Sequence, residues 1–133
     1  MPPKIVFGNA DIEGASRWGW FIGHFVTPTD DPRSTSDLEV KWGVHPAGEG
    51  RSQWGMNAQA TTLSILIKGR FRVQFPDREV VLSREGDYAL WSPGVSHCWL
   101  AEEDSTILSV RWPSQPGDTV AMSTQSQVNE ENL

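Results

Sequence analysis

Several things are scarce in this 133-residue chain. It has one cysteine, Cys98, so no intramolecular disulfide framework can staple it. Basic residues are outnumbered, 11 Lys and Arg against 17 Asp and Glu, for a formal net charge of −6. A nucleic acid or an anionic membrane calls for a concentrated basic surface, so neither is an expected partner. No apolar run approaches the ~20 residues that span a bilayer. No apolar signal segment opens the chain, and a cytoplasmic location is the expectation. A glycine-rich phosphate loop is absent, and no spacing supports a Ser-His-Asp triad.

What is present is enough for one compact domain, with 38% hydrophobic residues. The unusual number is seven tryptophans: Trp18, Trp20, Trp42, Trp54, Trp91, Trp99 and Trp112. A small core can use a few as packing. Seven point to some lining a cavity or an interface, where an apolar body with one N–H donor is useful.

The stretch from Thr61 to Ala101 organises the rest. Short β-rich runs, punctuated by Gly69, Pro76-Asp77, Gly86-Asp87 and Pro93-Gly94, read as two buried hairpins and indicate an all-β sandwich or barrel. Upstream, Ile5-Val6-Phe7 reads as an edge strand, Asp11 to Ser16 as a polar turn, and Arg17 to Val26 as a strand with glycines. Asp37 to His45 alternates cleanly: Leu38, Val40, Trp42 and Val44 share one face, Glu39, Lys41, Gly43 and His45 the other. Arg51 to Gln59 reads as irregular, Thr106 to Trp112 as the last strand, and Ser114 to Leu133 as a polar, flexible tail. The expected organisation is thus one domain, with residues 1–36 as an N-terminal arm, 37–113 as the barrel core and 114–133 as the tail.

One spacing is specific. Gly86, five residues, Ser92-Pro93, Gly94, two residues and His97 resembles the second motif of the cupin superfamily, a jelly-roll β-barrel. The first cupin motif ends on a glycine, matched by Gly69; counting back puts its glutamate position at Thr62 and its two histidine positions at Gly55 and Asn57. The resemblance implies a cupin-type jelly-roll barrel and a homodimer. The dimer would cover the outer face of the Leu63-Ile65-Ile67 strand, with the Ile5 strand or the Trp18 to Val26 strand crossing over.

Three of the four family metal-ligand positions are lost. A divalent transition metal needs three or four nitrogen, sulfur or carboxylate ligands; glycine offers none, and Asn57 and Thr62 offer neutral oxygens. No metal or other cofactor is therefore expected. The one route back to a divalent metal combines His97 with His45 and a carboxylate such as Glu49, which requires the polar face of the 37–45 strand to point into the barrel.

The expected function is binding of a small organic molecule in the barrel. Asn57, Thr62, Ser64, His97 and Trp99 are the pocket groups, with His45 and with Trp42 or Trp54 near the mouth. A barrel filled by its own side chains would exclude this. The rival readings are a cofactor-free isomerase, cyclase or lyase with His97 as general acid or base, a metal-dependent dioxygenase-like cupin with unconventional ligands, and a filled barrel acting through its partners. His97 also has a bland role open to it, as a hydrogen-bonded interior histidine. Cys98 has the opposite parity to His97, which argues against a Cys-His pair.

Overall fold

The structure, a computed structural model, describes residues 3–121. Among them are ten strands: β1 (Trp20–Ile22), β2 (Glu39–His45), β3 (Gly50–Asn57), β4 (Thr61–Lys68), β5 (Phe71–Phe75), β6 (Arg78–Leu82), β7 (Tyr88–Trp91), β8 (His97–Ala101), β9 (Ser105–Trp112) and β10 (Thr119–Ala121). They form two antiparallel five-stranded sheets, ordered β1-β2-β9-β4-β7 and β10-β3-β8-β5-β6. The fold is all-β, a jelly roll, as the turn spacing indicates.

Chain order and sheet order differ in the jelly-roll manner. β5 and β6 make a tight hairpin within one sheet, and β1 and β2 pair antiparallel across a longer connection. The expected hairpin across Gly69 is instead a crossing, because β4 pairs with β7 and β9 while β5 pairs with β6 and β8. Gly69 has φ +103°, and a Cβ there would fall 2.7 Å from the Ser105 Cα. The corner between sheets therefore needs glycine.

Register sorts the first sheet into rows. Glu39, Arg111, Thr62 and Trp91 lie side by side, as do Lys41, Ser109, Ser64 and Ala89, then Gly43, Ile107 and Leu66. These rows face inward: Glu39, Lys41, Thr62, Ser64 and Arg111 are all buried. The outward rows are Val40, Val110, Leu63 and Leu90, then Trp42, Leu108, Ile65 and Tyr88. The second sheet closes the core with Phe71, Val73, Leu82 and Ala101, packed on Leu66 and Ile107.

Four sequence expectations change. Residues 50–57, read as irregular, form β3; main-chain pairing with β8 and β10 and a bulge between Arg51 and Gly55 carry a strand that its Ser, Gln and Gly content hides. Residues 5–7 form no strand, and Ile5 and Phe7 are exposed. The polar turn at 11–16 is a short helix, α1 (Ala10–Glu13), capped by the Asn9 side chain accepting from Ile12 N at 3.0 Å, followed by a 3₁₀ turn at Ala15–Arg17. The strand expected from Arg17 to Val26 shrinks to β1, bounded by Gly19 at φ +100° and Gly23 at φ +153°.

The expected tail contributes β10, whose approach is fixed by the Asp118 carboxylate accepting from Gln59 N (2.7 Å) and Ala60 N (3.1 Å). The rest of that expectation, residues 122–133, lies outside the described residues. No helix among the described residues is long and apolar enough to cross a membrane.

Candidate functional site

The inward polar rows surround a narrow lumen with about 40 Å³ of free space. A buried water needs roughly 10–15 Å³ of such space, so the lumen has room for a few waters. Two larger openings border it. An end mouth of about 370 Å³ is walled by Trp18, Trp20, Phe25 and His24 and reaches Arg111. A side cleft of about 600 Å³ lies beside the α1 segment and β2, with Lys41, His45, Glu49, Arg51 and Trp99 on its walls.

The residues singled out from sequence mostly converge. Thr62, Ser64, His97, Trp99 and His45 line the lumen. Asn57 is buried at the end mouth, and Trp42 borders the side cleft. Trp54 lines neither the lumen nor the two openings. Ser64 Oγ and Ser109 Oγ satisfy each other at 2.8 Å. Asn57 Oδ1 and Thr62 Oγ1 are buried with no partner among the described residues, as is Trp91 Nε1. Cys98 faces away from this constellation and donates to Gln74 Oε1 at 3.0 Å. Burial pushes its thiol pKa up, so it is no nucleophile.

His97 is held by one contact, its Nδ1–H donating to the Val95 carbonyl at 3.3 Å, while its ring packs on Trp91 with centroids 4.9 Å apart. Burial pushes its pKa down to about 4, with Arg111 and Arg51 adding to the effect against the Val95 bond. At neutral pH it is an uncharged acceptor, far from the near-neutral pKa that acid–base work calls for.

His45 is differently placed. Its Nδ1 bonds the Glu49 carboxylate, and its ring sits against Trp99 at 4.5 Å and Phe71 at 5.6 Å. Burial lowers its pKa, opposed by Glu49. With Nδ1–H given to the carboxylate, Nε2 keeps a free lone pair. Gly43 leaves that lone pair room, since a Cβ on Gly43 would lie 2.7 Å from Nε2. This is the carboxylate–imidazole arrangement of a general base.

Sequence reasoning missed the cations. Lys41 and Arg111 point inward from β2 and β9, and Trp20 lies between them, its ring centroid 5.8 Å from Lys41 Nζ and 4.6 Å from Arg111 Cζ. Burial, helped by Arg111, lowers the Lys41 pKa to about 8. Burial likewise lowers Arg111 and Arg51 to about 10 each. Glu39 answers Arg111 at 3.4 Å and accepts from Ser114 Oγ at 2.8 Å, and His24 Nδ1 holds Ser114 Oγ at 2.7 Å. The parity of the 37–45 strand put Glu39, Lys41 and His45 on one face without saying that this face is the buried one.

The family metal positions can be tested on their donors. Gly55 pairs with His97 across β3 and β8 and offers no donor side chain. The polar face of β2 does point inward, as a rebuilt site requires, and His45 does meet Glu49. Yet among the described residues no group of three His, Cys, Asp or Glu is placed to hold a metal ion, so His97 does not complete that set. One imidazole with Asn and Thr oxygens does not fit a transition metal.

No family model matches the sequence, and no curated protein does. Solved structures do match. An uncharacterised conserved protein with a double-stranded β-helix domain from Klebsiella pneumoniae superposes with a TM-score of 0.59 at 20% identity, covering 67% of this chain and 77% of its own. KdgF from a Halomonas species gives 0.56 at 21% identity, covering 61% and 74%. A cupin superfamily protein from Desulfitobacterium hafniense gives 0.54 at 16%, covering 60% and 71%. The two-sheet topology and this likeness together give the chain the cupin fold, the double-stranded β-helix.

Proposed function

We propose that this cupin-fold chain binds a small organic molecule at the junction of lumen and mouth, without a metal at the family's ligand positions. One observation carries the reading. Buried polar atoms at the junction, Asn57 Oδ1, Thr62 Oγ1, Trp91 Nε1 and Arg111 Nε, have no partner among the described residues. Orphaned groups of this kind are rare, each costs free energy, and a ligand or water must satisfy them. The lumen is too small for a whole metabolite. Only a head group enters it, and the body rests on Trp18, Trp20 and Phe25 in the mouth. Intrinsic tryptophan fluorescence against a metabolite panel tests this. A saturable change that Thr62→Val or Asn57→Leu weakens supports it, and a flat response across the panel contradicts it.

A second reading, a cofactor-free isomerase, cyclase or lyase, is favoured by the His45–Glu49 pair beside the same lumen. It makes His45, in place of the His97 expected from sequence, the base. Product formation lost in His45→Gln with binding retained supports it; the same loss in His97→Gln alone supports the original assignment. The outer face of the first sheet, with Val44, Tyr88, Leu90 and Trp112 exposed, is the surface we assign to a second copy of the chain.

A further inference from the structure

The charges inside the barrel do not balance. Lys41 is 8% exposed and Arg111 6%, and both terminal nitrogens of Arg51 are buried without a partner. Against these three cations stand two buried carboxylates, Glu39 and Asp118, and Glu39 is committed to Arg111 and Ser114. Glu49 is close enough to act on Lys41, but it bonds His45 and is 45% exposed in the cleft. Asp118, near Arg111, is committed to two backbone N–H groups. Lys41 makes no hydrogen bond or ion pair among the described residues; its ammonium sits over the Trp20 ring, shared with Arg111, with Glu49 acting from farther off. A cation–π contact returns only a fraction of what dehydrating an ammonium costs. Structural buried cations are paired, so this one is unfinished.

Resting on the reading that a ligand occupies the barrel, we propose that the ligand's anchoring head is a carboxylate, received by Lys41 with Arg51 and Arg111 around it and with Thr62 Oγ1 beside it. The size of the lumen selects the head. A narrow lumen favours a small planar head over a bulkier tetrahedral phosphate. The tryptophan- and phenylalanine-walled mouth then takes an apolar or aromatic body. The chain as a whole is acidic, net −6, so a cluster of cations in the barrel runs against its overall charge.

The test uses the full chain at constant ionic strength in chloride. Benzoate and phenylacetate are titrated beside their neutral isosteres benzamide and phenylacetamide, and beside inorganic phosphate, with tryptophan emission and Tm as readouts. The proposal expects the carboxylates to bind at least tenfold more tightly than the amides and to raise Tm, with no rise from phosphate. Lys41→Met is expected to weaken carboxylate binding tenfold or more while leaving the ligand-free Tm equal or higher, because an unpaired charge has been removed. A Lys41→Met protein that is less stable than the parent, yet equally responsive to benzoate, overturns the proposal. If Lys41→Met does not fold, Lys41→Gln and Arg51→Gln carry the same comparison. Amides that bind as well as acids, or a response to phosphate in place of benzoate, overturn the carboxylate head and leave the barrel-ligand reading standing. No response to any probe overturns both.

Discussion

The two sheets turn opposite surfaces toward each other. From β10-β3-β8-β5-β6 come Phe71, Val73, Leu82 and Ala101, an apolar inner face with the polar Asn57 and His97 beside it. From β1-β2-β9-β4-β7 come Glu39, Lys41, Thr62, Ser64 and Arg111, while Val40, Leu63, Ile65, Tyr88 and Leu90 of the same strands face out. Apart from Leu66, Ala89, Trp91 and Ile107, which join the apolar core, the first sheet is inside out. A sheet serving stability alone would do better with its faces exchanged, since burying apolar area contributes about 25 cal/mol per Å² and burying polar groups is costly. Retaining the polar face inward therefore marks it as the working surface, and the apolar face outward as one that needs a cover. The apolar core is shared, with Leu66, Ala89, Trp91 and Ile107 of the first sheet packed on Phe71, Val73, Leu82 and Ala101 of the second.

The sharpest way to break this contrast is to strip one half of the buried pair. Glu39→Leu leaves Arg111 enclosed without its carboxylate, with an expected loss of about 3–5 kcal/mol in denaturant unfolding. Replacing both members, Glu39→Leu with Arg111→Met, is expected to restore most of it. If the double substitution is as damaging as the single one, the pair is structural and the polar face is not held in reserve. Next in size is Leu82→Ala on the apolar sheet. Leu82 is 2% exposed, and its truncation is expected to cost about 2–5 kcal/mol. Thr62→Val on the polar sheet, whose hydroxyl has no partner, is expected to be neutral or stabilising in the ligand-free protein.

Titration separates the faces further. The folded pKa of His97 is about 4 against 6.5 when unfolded, so the unfolded chain takes up more protons between those values. The stability linked to His97 is complete above pH 6.5 and is lost as pH falls toward 4. His97→Gln is expected to lose less Tm than the parent between pH 6.5 and 4.5. Lys41 acts at the other end. Its folded pKa of about 8 lies below the ordinary 10.5, so its cost is full below pH 8 and is relieved as pH rises toward 10.5. Arg111, Arg51 and Glu49 are the charges that act on it. Lys41→Met is expected to remove that alkaline gain. The smallest effect on stability falls on the outer face: Leu90→Lys is expected to leave the fold intact and, in sedimentation, to convert a dimer to a monomer. A monomeric parent contradicts the cover assigned to that face.

Much of the scaffold was legible because local chemistry dictates it. Gly69, Gly86 and Gly94 all adopt positive φ, and the alternation of Asp37 to His45 survives as inward and outward rows. What was hidden depends on tertiary pairing. Residues 50–57 form a strand through main-chain partners from residues 97–101 and 119–121, which their own side chains do not announce. Asn57, Thr62, Ser64 and His97 could be named because motif spacing and strand parity bring them together. Lys41, Arg51 and Arg111 could not, since a charged residue on an alternating strand is ordinarily the solvent-facing one. Only the register, which sets Trp20 beside Lys41 and Glu39 beside Arg111, shows that the charged side was the inside.

The most direct measurement is a map of backbone amide chemical shifts while phenylacetate is added to the labelled protein. The account predicts saturable shifts at Lys41, Thr62, His97 and Arg111 and at the mouth residues Trp18 and Trp20, with Leu63, Leu90 and Trp112 unmoved. Shifts gathered on Leu63, Leu90 and Trp112 instead, or none anywhere, would contradict it.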